Sequence, residues 1–329
     1  SWGGPFGTLS SIRHYRRNRK RCAAAIARNV SRICDDQGIR QIWAVLESPM
    51  MYRVTALLAK ARRYQLVATL WDPPESVTRE FGLDRISRTE SIDDFDSSLA
   101  CCRRLGVISE AMGEHYKQRH STLETTVMRF IPCSPKLSAS RPPSDEFIIC
   151  FAGSAYASRE FRALLDALDH CRWKIAGRSV RVQILGAKIN YQTKSPACIE
   201  FLGYRSGQEV AERMAKADCG YVPYWFDPTY DLAVRLCFPS KLITCLTCRT
   251  PIFFHGPEQS SPAEFLKKYR AGIACHSLDR TQIVSSLNVI ADADRKKMAS
   301  QADLAVSREF NNTNFHRRFQ FLITGNRHD

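Results

Sequence analysis

Short apolar runs alternate with amphipathic stretches along most of the chain, as buried parallel strands and their crossover helices do. QIWAVLE (Gln41–Glu47) predicts a strand, followed by a helix over 50–63 and a second strand at QLVATLW (Gln65–Trp71). That strand stops at DPPE, because Pro73 and Pro74 can neither donate to a ladder nor sit inside a helix. RRLGVIS predicts the next strand, and its last residue, Ser109, suits the N-cap of a helix over EAMGEHYKQR. TTVMRFIP ends the first series. From Pro132 to Glu146 the sequence PCSPKLSASRPPSDE is rich in Pro and Ser and poor in large apolar residues, the composition of a linker. The alternation restarts with FIICFAG, a helix over 159–171, VRVQILG, CIEFLGY, a helix over 208–216 and CGYVPY. A helix over 240–247, PIFFHG, a helix over 262–269, GIAC and closing helices complete it. The pattern predicts an α/β chain of two domains, 1–140 and 141–329.

Composition narrows this little. Hydrophobic residues make up 44% and charged residues 25% of the 329, which disfavours disordered, collagen-like and coiled-coil classes. Charge changes more: 48 Lys and Arg against 33 Asp and Glu leave +15, shared almost evenly between the two halves. Such a surplus attracts nucleic acid, anionic lipid headgroups or phosphorylated small molecules. No apolar run approaches the roughly 20 residues that span a bilayer, and no signal-peptide pattern is present. The chain opens at Ser1 without Met, which reads as a fragment or processed form. Thirteen Cys, an odd number set mostly among apolar neighbours, fit buried thiols of a reducing compartment, the cytoplasm.

In open α/β sheets ligands bind beyond the carboxyl ends of strands, where helix N-termini present unpaired N–H groups. FAGSAYASREF offers such an end: Gly153 and Ser154 lead to Arg159 at a helix start. Gly admits close approach, and Arg can grip phosphate with two donors. CFPSKLITCLTCRTPIFF offers another, where Pro239 and Ser240 open a helix and Ser can satisfy an orphan donor. Lys241 in that first turn opposes the helix dipole, so its place suits a bound anion. The run RHYRRNRKR (Arg13–Arg21) carries six basic residues, either as a solvated face or as a contact to anionic lipid through Arg13, Arg16, Arg17, Arg19, Lys20 and Arg21. Nucleic acid is disfavoured, since no finger, RNA-recognition or KH signature accompanies the run. Asp94-Phe95-Asp96 has a metal-holding spacing but reads better as acidic residues opening a helix. Cys245 and Cys248 form a lone C-x-x-C, read as packing, and His115, His120, His170 and His255 have no metal partner in the sequence.

FAGSAYASREFRALLDAL, VRVQILG, IEFLGYRSGQEVAERMAKADCGYVPY and FPSKLITCLTCRTPIFFHGPE together resemble, in order and spacing, the nucleotide-sugar half of family-4 retaining glycosyltransferases. GVISEAMGEHYKQR is similar to the strand and helix that close their acceptor domain. The resemblance implies the GT-B fold, two facing Rossmann-like domains with the N-terminal one incomplete. It implies a metal-independent transferase, with no cofactor beyond a nucleotide-diphosphate sugar as co-substrate, acting on a polysaccharide or glycolipid acceptor with retention, in the cytoplasm or peripherally at the inner membrane face. Gly153, Ser154 and Arg159 would face the diphosphate or sugar, Lys241 with Phe238, Pro239 and Ser240 would face it from the other side, and Gly203 and Tyr204 would lie near the base. A Glu that many relatives use for the donor ribose falls at Thr244, and its partner in the motif at Leu236. A His common in the first domain falls at Trp71, which makes Asp72 the candidate there for accepting a hydrogen bond from an acceptor hydroxyl. The alternatives are a catalytically silent binding subunit and an epimerase or hydrolase on the same fold.

Overall fold

The computed structural model describes residues 5–129, 144–154, 156–187, 189 and 192–326, so most of the expected linker lies outside the described residues. The chain forms two compact units, one running to Arg129 and taking in the chain again from Phe315, the other running from Phe130 to Asn314. The expected 140/141 boundary lies outside the described residues, and the chain from Phe315 groups with the first unit.

In the first unit, α1 (Pro5–Asp36) precedes β1 (Gln41–Val45), α2 (Pro49–Lys60), β2 (Gln65–Leu70), α3 (Pro74–Glu80) and α4 (Arg85–Leu99). Then come β3 (Cys102–Val107), α5 (Glu110–Arg119) and β4 (Glu124–Val127). The four strands are parallel in the order β1-β2-β3-β4. Ser109 caps α5 as the sequence predicts, accepting from Met112 N at 3.1 Å.

Two readings of this unit are corrected. Asp93–Asp96 lies inside α4, not at its start, because Asp84 already caps the helix by accepting from Ile86 N and Ser87 N. And half of the basic run on α1 turns inward onto α4. Arg19, only 2% exposed, donates to Ser91 and to Asp94 Oδ2 at 3.1 Å, with Arg53 on Asp94 Oδ1 at 2.7 Å. Arg16 and Lys20 share Glu90, whose carboxyl is pulled down to about 2, mainly by the Arg16 hydrogen bond. Arg16, Arg19 and Lys20 thus pair with carboxylates of α4 in the same unit.

In the second unit, β5 (Glu146–Ala152), α6 (Ser158–His170), β6 (Lys174–Ile175), β7 (Arg178–Leu185), β8 (Ile199–Gly203), α7 (Gly207–Lys216) and β9 (Cys219–Pro223) lead to α8 (Asp231–Leu236) and α9 (Ser240–Thr247). The series ends with β10 (Ile252–His255), α10 (Ser261–Tyr269), β11 (Gly272–Cys275), α11 (Arg280–Asp292) and α12 (Arg295–Glu309). The parallel order is β8-β7-β5-β9-β10-β11, with β6 antiparallel on β7. Phe147, Ile149 and Phe151 of β5 pack with Phe161, Leu164 and Leu168 of α6 in one apolar cluster.

The last helix, α13 (Asn312–Thr324), packs Leu322 with Val67 and Met128 of the first unit. Arg104 on β3, 1% exposed, reaches its end and donates to the carbonyls of Leu322 and Ile323 at 2.7 Å each. These carbonyls have no intrahelical donor, and the guanidinium complements the negative end of the helix dipole. Arg104→Met is expected to lower the free energy of unfolding by about 2–4 kcal/mol, because it leaves the Leu322 carbonyl without its buried donor and Ile323 O with Gln41 alone. Urea denaturation and proteolysis at the C-terminal helix check this; unaltered stability and cleavage would remove the clamp.

Candidate functional site

From β5 the second unit's sheet grows outward through β7 to β8 and then resumes on the other side at β9. At such a reversal the loops leaving the two central strands part, and a crevice opens beyond their carboxyl ends. Gly153 stands there directly after β5, with φ +105° and its N–H donating to Leu185 O at 2.7 Å. Gly186, at φ +133°, donates to Gly203 O at 2.9 Å, and a side chain on it would begin 2.5 Å from Gly153 O. Three neighbouring strand ends therefore present glycine backbone, and at Gly153 and Gly186 the φ values are ones that only glycine adopts readily.

Two helices start beside this floor. At the first position of α6 and of α9, the capping residues are Ala157 and Pro239, and neither supplies a side-chain hydrogen bond. Ser206, Ser260, Asp279 and Asp294, by contrast, cap α7, α10, α11 and α12 with their side chains. The expectation that Ser240 caps α9 is corrected: Ser240 is its first helical residue, and its carbonyl accepts from Thr244 Oγ1 at 3.2 Å.

Lys241, half-buried in the first turn of α9, is brought onto the Gly153 turn. A side chain on Gly153 would begin 3.4 Å from both Lys241 Cε and Nζ. The ammonium lies 4.1 Å from the centre of the Tyr156 ring and 5.6 Å from that of Phe151. Such ring faces attract a cation, but none of the ion pairs among the described residues includes Lys241. Burial accordingly pulls its pKa down to about 8.

Aromatic residues continue the wall. Trp225, just beyond β9, donates from Nε1 to Tyr156 O at 3.1 Å and lies 4.6 Å ring to ring from Tyr156. Tyr230 stacks on its other neighbouring side at 4.7 Å and 13°. The buried Glu160 of α6 accepts from Phe226 N at 2.8 Å, tying this loop to the helix. Gly186, Tyr156, Trp225 and Tyr230 escape the sequence reading. The signal was there in WFDPTY following a strand and in the Gly that ends VRVQILG, but nothing local shows which ring faces the Gly153 turn.

The remaining predicted residues divide. Ser154 and Arg159 are exposed at the β5–α6 turn, and Arg159 makes no ion pair among the described residues. Tyr204, 81% exposed, follows Gly203 at the end of β8. The Phe238 side chain lies in the core, 5.1 Å ring to ring from Phe265, so only its backbone is left for a ligand, the role expected of it. Leu236 is likewise buried. Asp72 belongs to the first unit, exposed beyond β2. Burial pushes the Tyr52 phenol up, and Asp72, Glu75 and Glu47 push it further, so three carboxylates gather near that buried ring. His255 is held neutral by burial, its pKa lowered to about 4, between the Tyr221 hydroxyl at 2.9 Å and Ser277 O at 2.8 Å. Cys245 and Cys248 are buried, with thiols pushed up by burial.

No family model matches the chain, and no curated protein matches it by sequence. Solved structures match it by shape. Sucrose-phosphate synthase from Thermosynechococcus elongatus superposes at a TM-score of 0.64 with 14% identity, over 93% of this chain and 78% of that one. The Anabaena protein HepE, solved in complex with UDP, gives 0.66 and 14% over 92% and 82%. The α,α-trehalose-phosphate synthase (UDP-forming) of Burkholderia xenovorans, with glucose-6-phosphate, gives 0.62 and 12% over 95% and 78%. The chain has the GT-B fold. Within that fold the Gly153 turn and Lys241 occupy the switch point of the C-terminal Rossmann-like unit.

Lowering the Lys241 pKa has a measurable sign. Between about 8 and the ordinary 10.5 the unfolded chain holds a proton that the folded chain has lost, so folding gains stability as pH rises through that window. Lys241→Met should remove this rise and, at pH 7, raise stability by roughly 1–3 kcal/mol, since the buried charge is gone. Thermal unfolding of both proteins from pH 6 to 10 checks it; parallel curves would contradict the burial of the ammonium.

Proposed function

We propose that the protein transfers a glycosyl group from a nucleoside-diphosphate sugar to a glycan or glycolipid acceptor, with retention at the anomeric carbon and without a metal. The observation that carries this reading is Lys241: an ammonium withdrawn from water at a sheet switch point, with no ion-pair partner among the described residues, beside bare glycine backbone. A diphosphate supplies the charge that this position lacks. The side-chain-uncapped starts of α6 and α9 would donate to its oxygens, and Arg159 would add a bidentate contact from the rim. Developing negative charge on the leaving diphosphate would then be met by fixed donors, the work a divalent cation does elsewhere.

Gly203 and Tyr204 are the candidates for the nucleobase, with the exposed ring of Tyr204 able to stack. Ser154 would meet the transferred sugar. Backbone at Phe238, Pro239 and Ser240 would line the opposite wall. Thr244 has a hydroxyl and no charge where the resemblance implies a ribose-binding carboxylate, so ribose recognition would rest on weaker hydrogen bonds. Asp72 would accept from an acceptor hydroxyl. That HepE was solved with UDP and that the trehalose-phosphate synthase is UDP-forming supports a nucleoside diphosphate as the ligand.

Titration calorimetry with UDP, GDP and ADP tests the reading first. One of them should bind, and Lys241→Ala should weaken it by about 1–3 kcal/mol. Incubation with the matching nucleotide sugars and an acceptor panel then reads the product by mass spectrometry. Binding with no product across the panel would favour the silent subunit, and no binding of any nucleotide would overturn the proposal.

A further inference from the structure

Three carboxylates of the first unit surround one buried phenol. Glu47 follows β1, Asp72 follows β2, and Glu75 stands in the first turn of α3. β1 and β2 run parallel, and beyond β1 Leu46 N still donates to Thr69 O at 2.9 Å, so Glu47 and Asp72 leave the same carboxyl edge of the sheet. Glu47 and Asp72 are exposed, Glu75 is half-buried, and Tyr52, in the first turn of α2, has no exposed surface. Burial raises the Tyr52 pKa, and the three charges that raise it further are these carboxylates.

Two buried polar atoms here have no hydrogen-bond partner among the described residues: the Tyr52 hydroxyl and Glu75 Oε2. The rest of Tyr52 is committed. Its N–H donates to Ser48 O at 3.1 Å, its carbonyl accepts from Ser98 Oγ at 2.9 Å, and its ring meets Phe95 edge-on at 5.2 Å. A carboxylate oxygen can only accept, and a phenol oxygen accepts as well as donates, so the group that completes both must bring several donors. Arg53, beside Tyr52 in sequence, is not that group, because it donates to Asp94 Oδ1 at 2.7 Å. Neither Glu47 nor Glu75 makes an ion pair among the described residues. Nor do any three described His, Cys, Asp or Glu side chains converge closely enough to hold a metal ion.

We infer that the acceptor carries an ammonium group, as an amino sugar does, and that Glu75 and the Tyr52 hydroxyl hold this group beside Glu47 and Asp72. The inference rests on the glycosyl-transfer reading and names the class of acceptor. An ammonium brings three diverging donors and one positive charge, which a carboxylate meets with a charge-assisted bond. A neutral hydroxyl donates once and sets no charge against three carboxylates. The nitrogen is bound and not glycosylated, since a protonated amine has no lone pair; a neighbouring hydroxyl of the same acceptor remains the group that Asp72 would accept from. A chain with a net charge of +15 repels cations over most of its surface, so this acidic edge would select them locally.

Paired titrations of the full chain at pH 6, where the amines are protonated, test the inference apart from the reading beneath it. UDP, GDP and ADP report on the donor reading. A glucosamine tetramer and an N-acetylglucosamine tetramer, equal in length and differing in charge, report on the ammonium site. The amine tetramer should bind at least ten-fold more tightly than the acetylated one, and Glu75→Gln should weaken it by roughly ten- to a hundred-fold. Tyr52→Phe keeps the ring and removes only the buried hydroxyl, so it should fold as the parent does and still lose several-fold in affinity. Equal affinity for the two tetramers would overturn the inference and leave the buried acceptors to water. A preference for the amine that survives in both variants would overturn it as well. Preference for the amine without binding of any nucleotide would support the ammonium site and overturn the transfer reading.

Discussion

An ammonium group held half out of water, with no ion-pair partner among the described residues, is the feature on which the second unit turns. Lys241 stands in the first turn of a helix, at the positive end of the dipole, where a cation is disfavoured. Its neighbours are the faces of Tyr156 and Phe151, whose attraction for a cation is on the order of 0.5–2 kcal/mol and does not replace lost hydration. The lowered pKa is the trace of that deficit. An anion removes the deficit from both sides at once, by pairing with the ammonium and by using the first-turn N–H groups. Glycine at 153 and 186 lets such an anion reach the backbone.

Side chains close most helix starts in both units, and the exceptions include the two that flank the switch point. In the first unit the helix starts of α2, α4 and α5 are closed by Ser48, Asp84 and Ser109, and the end of α13 is closed by Arg104. Its buried charges are neutralised internally, Arg19 and Arg53 on Asp94 foremost. In the second unit α7, α10, α11 and α12 are capped by side chains, while α8 and the switch-point helices α6 and α9 are not. Unmet donors and an unmet cation gather in one place.

Much of the fold was legible because its signal is local. GIAC and the helix over 240–247 appear with the expected bounds, since an apolar run between breakers and a proline-led start need no distant partner. Ser109 declares its cap in sequence for the same reason. What escaped depends on partners far along the chain. Arg104 in RRLGVIS looks like a solvent-facing strand residue, and only the return of α13 explains its burial. Asp94 looks like the acidic start of a helix until Arg19, 75 residues away, is seen to hold it. Of the site, Gly153 and Lys241 were both legible as separate strand-end and helix-start signals. Their meeting, and the Tyr156–Trp225–Tyr230 wall around them, is a product of the β5–β9 reversal that no short segment encodes.

The central claim is that burial lowers the Lys241 pKa to about 8 in the free protein, so that at pH 8.5 much of its charge is lost and is regained when an anion binds. Calorimetry of UDP binding at pH 8.5, in buffers of differing ionisation enthalpy, reads this directly as protons taken up per ligand. The account predicts net uptake by the wild-type protein and its loss in Lys241→Met. A binding enthalpy independent of the buffer, with measurable UDP affinity, would contradict it.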